Sequence, residues 1–334
     1  MSENREENKF NYIFIIPFIT ILIASFIYFF YIGNFVSFDQ TSQRFISILE
    51  SLKELSPNQN IFIGDSQTRE DINCVTIGDG NISCYNLGIE GILPIQIGLI
   101  SNEIINSSPK RVIIGVSPLF FSESINKNED IFFFIGEKKV KLDKKFISML
   151  DKDEAKLISL NWFERGLYKR KFILPIYSDI IKNIIYKNNK KIVNTELNKR
   201  NNFKNPYIFN TNKPELELKG KINDTNIIKL FEFNSSVREV KAFEYLINNI
   251  RINKINITIV EMPINPILEE HISNKSKIDF SNYISKISSE YNISYLDISS
   301  NFNKDEFIDL THLNEKGREK LSKIMKKGGE NVIQ

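Results

Sequence analysis

Five short runs, Ile61–Ile63, Ser83–Leu87, Val112–Val116, Ile255–Glu261 and Ser294–Asp297, limit this chain to few architectures. The first, third and fourth are largely apolar and rich in β-branched residues, as strands buried on both faces are. Helical patterns separate most of them. Strands alternating with helices pair in parallel through right-handed crossovers. The 334 residues exceed one typical domain, and a hydrophobic content of 42% can fill a large core. The expectation is therefore an α/β domain with a five-stranded parallel sheet over residues 60–327. A Lys- and Asn-rich interval at about 122–235 breaks the rhythm between the third and fourth strands. It reads as a partly helical insertion, with amphipathic stretches over Phe146–Leu160 and Ile176–Tyr186, the second starting after Pro175. Such an insertion would overhang the carboxyl end of the sheet as a lid or polymer-binding element. Its Lys runs fit a solvated face or an anionic-ligand site. Residues 328–334 read as a frayed tail.

The N-terminal part obeys other rules. Ile13–Ile32 is uncharged and almost wholly apolar, about 20 residues, enough for a helix to span a bilayer. Tyr12, Tyr28 and Tyr31 flank it, as interfacial aromatics do. The run is too long for a signal-peptide core and no small-x-small cleavage site follows. We read a short tail at 1–9, an uncleaved anchor at 10–34, and a stalk helix or linker at 35–59, where Phe45, Ile48, Leu49 and Leu52 have helical spacing. Arg5 and Lys9 precede the span, and the first basic residue after it is Arg44. This bias predicts a cytoplasmic N-terminus and a body outside the cytoplasmic membrane. In that setting Cys74 and Cys84, around the turn Gly78-Asp79-Gly80-Asn81, are either a disulfide or two buried thiols. A net charge of only +3 gives no case for a nucleic-acid partner. With two histidines and two cysteines in all, matching ligands for a zinc site are too few, and His271 reads as a surface residue. No cofactor is implied.

Gly64-Asp65-Ser66 follows the first strand-like run, and Asp309-Leu310-Thr311-His312 follows the last. A serine hydroxyl is a poor nucleophile near neutral pH. It needs a histidine to take its proton and a carboxylate to hold that histidine in the useful tautomer. Asp309 and His312, spaced i, i+3, can point the same way from one turn. Ser66, at a strand's carboxyl end, has the usual ligand position of an open α/β sheet. Ser66, His312 and Asp309 are thus candidates for nucleophile, base and orienting acid.

With these residues assembled, the chain resembles the SGNH (GDSL-like) hydrolase superfamily over roughly 60–122 and 250–325. Gly64-Asp65-Ser66 is similar to its first block, Asn86-Leu87-Gly88 to its second and Asp309-x-x-His312 to its last. The resemblance implies a three-layer α/β/α sandwich, flavodoxin-like in layout, with Ser66, Asp309 and His312 as triad. It also implies oxyanion donors in the amides of Ser66 and Gly88; a glycine at 88 would let substrate approach the backbone. The third donor of the superfamily, an asparagine, is replaced by Ser117 in Gly115-Val116-Ser117-Pro118. Ser117 is either a weaker donor or a cap at the strand end. Arg69, just past the nucleophile, is either a contact for an anionic substrate or a surface salt-bridge partner.

Ser117-Pro118 with trailing aromatics, Met262-Pro263-Ile264-Asn265 and the N-terminal anchor resemble a narrower branch, the DltD-like proteins of teichoic-acid D-alanylation. Those proteins and the similar alginate and peptidoglycan O-acetylation proteins work with a membrane-bound O-acyltransferase. Pro263 and Pro266 also read simply as punctuation after a strand. The resemblance implies an anchored serine acyl-transfer enzyme acting on acyl esters of envelope polysaccharide or polymer. The alternatives are an anchored carbohydrate or lipid esterase and a non-catalytic partner of a membrane acyltransferase. A reporter fused after Gln334 tests the orientation. It is expected to work only if it functions in an oxidising, extracytoplasmic space, and a cytoplasmic signal would reverse the topology.

Overall fold

The computed structural model describes residues 15–23, 40–77, 84–122, 129–168, 217, 225–235 and 237–327. It divides into two units, one formed by Met1–Asp39 with Ser159–Lys190, the other by Gln40–Ile158 with Lys191–Gln334.

In the second unit all five expected strands form: β1 (Asn60–Ile63), β2 (Cys84–Asn86), β3 (Arg111–Val116), β4 (Asn256–Glu261) and β5 (Ser294–Asp297). Every pairing is parallel and the order is β2-β1-β3-β4-β5. Side chains alternate between faces along each strand, so Phe62, Ile113 and Val260 share one face. There they join a core that includes Ile72, Ile298, Phe307, Leu313, Leu321 and Met325. The last two come from the C-terminal helix Glu315–Lys327. Elsewhere, the Arg238–Ile252 helix packs against β4 and the Asn274–Tyr291 helix against β5. Continuous apolar strands thus become a parallel sheet flanked by helices. The chain leaves β1 for β2 on one side, then crosses back to β3 on the other. The β1/β3 gap is therefore the switch point of this order, where open α/β sheets bind ligands.

Two expectations about the surroundings need revision. The helix at Gln40–Ser51 is present, but Phe45, Ile48, Leu49 and Leu52 are all buried and it belongs to the same unit as the sheet. It is part of the body where a stalk was expected. The interval after β3 begins in the core too. In the Glu129–Glu137 helix, Ile131, Phe132, Phe133, Phe134 and Ile135 are buried, and the helix packs on Gln40–Ser51. The predicted helical stretch over Phe146–Leu160 is two helices, Lys144–Ile147 and Lys152–Ser159. The first is capped where Asp143 accepts the Phe146 amide at 2.7 Å. The second starts anew because Asp151 accepts the Glu154 amide while Glu154 accepts the Asp151 amide, each at 2.9 Å. The stretch at Ile176–Tyr186 and the tail at 328–334 lie outside the described residues.

Cys74 and Cys84 are disulfide-bonded, with their Cα atoms 5.3 Å apart, and both are buried. In the other unit the described chain is helical over 15–23, with exposed Ile15, Ile16, Phe18, Ile19, Ile21, Leu22 and Ile23, and again over 162–168. The rest of the apolar run, including Ile13 and Ile32, lies outside the described residues. Among the described residues no helix is long and apolar enough to cross a membrane.

Because Ile48 is wholly buried, Ile48→Ala is expected to destabilise the body by roughly 2–5 kcal/mol. A free stalk would lose almost nothing, so chemical denaturation of this variant separates the two arrangements.

Candidate active site

The carboxyl ends of all five strands carry the residues of interest. Strand β1 delivers Gly64-Asp65-Ser66, and the helix Ser66–Asp71 begins at once. Asp65 caps it, its Oδ1 accepting the Gln67 amide at 3.0 Å. Gly64, at φ +152°, has no room for a side chain. A Cβ there would stand 2.2 Å from Thr68 Oγ1 and 2.7 Å from the Gly115 carbonyl oxygen. The glycine lets the new helix fold back against β3, where Ile63 pairs with Ile114. Ser66 is half-buried at the helix start. Its amide is among the first-turn N–H groups that a helix leaves without internal partners.

Asp309 and His312 lie on a loop closed by an antiparallel bridge between Phe307 and Leu313. Asp309 Oδ1 accepts the amides of Thr311 (2.9 Å) and His312 (2.8 Å). His312 Nδ1 stands 2.9 Å from Asp309 Oδ2 and 3.1 Å from Oδ1. The other ring nitrogen, Nε2, is buried and has no hydrogen-bond partner. Burial alone would lower the His312 pKa. The hydrogen bond and charge of Asp309, then the charges of Asp71 and Glu70, outweigh it and raise the pKa to about 9. Burial would likewise raise Asp309, yet the His312 hydrogen bond, its charge and the two amides hold the carboxylate well below its usual range.

What joins serine helix to histidine loop is a set of side chains the sequence reading did not single out. Gln67 Nε2 donates to the Thr311 carbonyl at 3.1 Å and to the Pro263 carbonyl at 2.7 Å. One turn further on, Asp71 Oδ1 accepts the Leu313 amide at 2.9 Å. Residues 67 and 71 thus grip both neighbours of His312, so the Ser66 helix and the His312 loop meet. Met262-Pro263-Ile264-Asn265 supports the same loop. The Asn265 amide donates to Leu310 O at 3.1 Å and its Nδ2 to Asp309 O at 3.0 Å, while its Oδ1 accepts the Ile267 amide at 3.0 Å. Pro263 and Pro266 therefore frame a structural anchor as well as ending a strand. Nothing in the spacing of Gln67, Asp71 or Asn265 announces partners 44 or more residues away. Only the resemblance drew attention to Asn265.

Packing alone requires a glycine at 88. A Cβ there would meet the Arg69 amide nitrogen at 2.4 Å and the Arg69 Cα at 2.8 Å. Its N–H is engaged as well, donating to Asn86 Oδ1 at 2.9 Å. Asn86 Nδ2 in turn donates to the carbonyls of Thr68 (2.8 Å), Arg69 (3.2 Å) and Ile72 (2.8 Å), closing the helix C-terminus. Ser117 follows β3 and is buried; its Oγ has no partner and caps nothing. Arg69 is neither open to an anionic substrate nor on the surface. Its side chain is buried, with Nε donating to Glu70 Oε1 at 2.6 Å and a terminal nitrogen 3.1 Å from Glu90. Arg44 was missed altogether. From the Gln40–Ser51 helix its Nε donates to Gly88 O at 2.6 Å and a terminal nitrogen to Asn86 O at 3.1 Å. Burial, then the charge of Arg69, lowers its pKa to about 10 against the pull of Glu70.

Of eleven buried side-chain polar atoms without a partner among the described residues, seven belong to Asp65, Gln67, Thr68, Glu70, Asp71, Ser117 and His312. Native interiors leave few such atoms unpaired, and active sites are one place where they gather. Asp65 illustrates the environment. Burial raises its pKa to about 6 against the opposing Gln67 amide and His312 charge.

The fold and site define an α/β protein with an all-parallel five-stranded sheet and polar groups converging at its carboxyl end. A family model matches residues 134–333, more than half of the chain, and the chain belongs to that family, which is uncharacterised. The matched span takes in β4, β5 and the Asp309–His312 loop and leaves Ser66 and Gly88 outside it. No curated protein matches the sequence.

Asn86→Ala is expected to leave the Gly88 amide and the Arg69 and Ile72 carbonyls without the side-chain partner, while Thr68 O keeps the Ile72 amide, lowering stability by roughly 3 kcal/mol, since each unsatisfied buried group costs about 1–3 kcal/mol. Thermal and urea unfolding measure the loss.

Proposed function

We propose that this chain is an anchored serine acyl-transfer enzyme of the cell envelope, with the three-layer α/β/α arrangement of SGNH-type hydrolases. The observation that carries the reading is the His312 ring. Its Nδ1 is held by Asp309, while its Nε2 is buried and unpartnered on a loop tied at both flanks to the helix that Ser66 begins. In this mechanism Ser66 Oγ attacks the acyl carbonyl as its proton passes to His312 Nε2, and Asp309 stabilises the imidazolium. The oxyanion is met by the Ser66 amide and the buried Ser117 hydroxyl. The Gly88 amide contributes only by leaving Asn86. His312 then protonates the departing alkoxide, leaving an acyl ester on Ser66. In the second half, His312 takes the proton of an acceptor hydroxyl, which attacks the ester and frees Ser66. A glycan or polymer hydroxyl as acceptor gives transfer, and water gives hydrolysis.

The apolar run and its flanking charges support an anchor in the cytoplasmic membrane with the body outside, a setting in which the Cys74–Cys84 disulfide persists. The resemblance to DltD-like proteins supports a membrane-bound O-acyltransferase as partner. The esterase alternative keeps every step and changes only the acceptor. A purely non-catalytic partner would have no use for an Asp309–His312 pair.

A fluorophosphonate probe is expected to label Ser66 in the wild type. Ser66→Ala, His312→Ala and Asp309→Asn should each remove most ester turnover without unfolding the chain. The double variant Ser66→Ala/His312→Ala should be scarcely worse than either single, because the residues act as a unit. The base works only when neutral, so with His312 raised to about 9, wild-type turnover should climb with pH toward that value. A folded wild type that neither labels nor turns over a small aryl ester would favour the non-catalytic reading.

A further inference from the structure

Asp71 closes the short helix that Ser66 opens, and it is a fully buried carboxylate. Its Oδ1 accepts the Leu313 amide at 2.9 Å, and its Oδ2 has no hydrogen-bond partner. One amide acceptor needs no charge at this place. An asparagine oxygen could accept the same N–H at far lower desolvation cost. The position is therefore unusual in holding an acid, and the residue it bonds is the one that follows His312.

The charged groups around His312 come from three directions. Asp309 lies on its own loop, Asp65 at the end of β1, and Glu70 and Asp71 on the serine helix. Against them stand Arg69, paired with Glu70, and Arg318 of the C-terminal helix, which donates to Glu70 O at 3.4 Å and whose charge acts on Asp71. Asp71 has no salt-bridge partner in contact among the described residues. When ionised, its charge acts on His312.

Resting on the serine acyl-transfer reading, we propose that Asp71 is a positioning residue for His312, a second carboxylate that holds the base's loop through the Leu313 amide and sets a negative charge beside the imidazolium formed in turnover. The influence runs both ways. Burial pushes the Asp71 carboxyl well above its usual range, while the His312 charge and the Leu313 amide pull it down. Asp71 is in turn among the groups that raise His312. Gln67, one turn earlier, grips Thr311 and does the geometric half of the task without charge.

The chain has two histidines, and exposed His271 is an internal reference, so both rings can be titrated by NMR in the full chain in detergent micelles. Asp71→Asn keeps an oxygen acceptor for Leu313 and removes the charge. The expected result is a His312 midpoint lower by about one pH unit, the size of effect a nearby opposite charge exerts. The acid limb of ester turnover should move the same way as His312. Asp71→Glu, which keeps the charge, should retain a high midpoint, and Asp71→Ser makes the neutral comparison if D71N does not fold. An unmoved His312 midpoint in a folded neutral variant overturns the proposal, as does an equal fall in Asp71→Glu. Absence of fluorophosphonate labelling in wild type, with the His312 shift intact, would instead sink the acyl-transfer reading and leave the Asp71–His312 coupling standing.

Discussion

Everything distinctive at the carboxyl end of this sheet depends on a helix of six residues, Ser66–Asp71. Such a helix has no stability of its own, because the entropy of nucleating it exceeds what one or two internal hydrogen bonds return. It exists here because its neighbours hold it at each end. Asp65 caps the start, Asn86 gathers the carbonyls of the finish, and Gly64 and Gly88 let β3 and the β2 loop approach without a side chain between. Gln67 and Asp71 then use the helix as a bar across the His312 loop. Loss of this bar would leave serine and histidine as ends of two loops some 246 residues apart in sequence, a separation that follows from their numbers.

The centre of the parallel sheet was legible because β1, β3 and β4, buried along most of their length, leave β-branched runs that few other elements produce. All five appear within a residue or two of the expected bounds, even Cys84–Asn86, whose polar residues make it the least strand-like. Asp309 and His312 were legible because their chemistry and spacing are local. Asp71 and Arg44 were not. An acid at the end of a short helix and an arginine on an amphipathic one look like solvated charges until the partners at Leu313, Asn86 and Gly88 are known. The stalk was misread for a related reason. Phe45, Ile48, Leu49 and Leu52 declare that one helix face is apolar, but not what covers it, and a preceding apolar run makes a linker the natural guess. At Gly88 the structure adds a constraint the sequence reading did not contain. The missing side chain makes room for the backbone of Arg69.

Burying so many ions at one end of a sheet is tolerable only because they are interleaved. Arg44 sits against two carbonyls and feels both Arg69 and Glu70, Arg69 is shared by Glu70 and Glu90, and Arg318 reaches the Glu70 carbonyl. Hydrogen bonds and opposite charges offset desolvation that no single pair could offset. The arrangement still leaves unpaired oxygens on Asp65, Glu70 and Asp71 around one imidazole. Burial raises the pKa of all three, and the charge of His312 pulls each of them down.

Under the proposed chemistry the raised pKa of His312 limits deacylation by any acceptor. A base raised to about 9 is neutral for only on the order of one part in a hundred at pH 7. When neutral, it is a strong base. An acyl ester on Ser66 would then meet a competent base only intermittently. That factor slows attack by water and attack by another hydroxyl alike. A hydroxyl already bound in line with the ester would be present at every competent moment, with the high effective concentration that fixed geometry confers. Fixed geometry therefore favours a bound acceptor over solvent whatever the strength of the base, the direction that separates transfer from hydrolysis on one and the same triad.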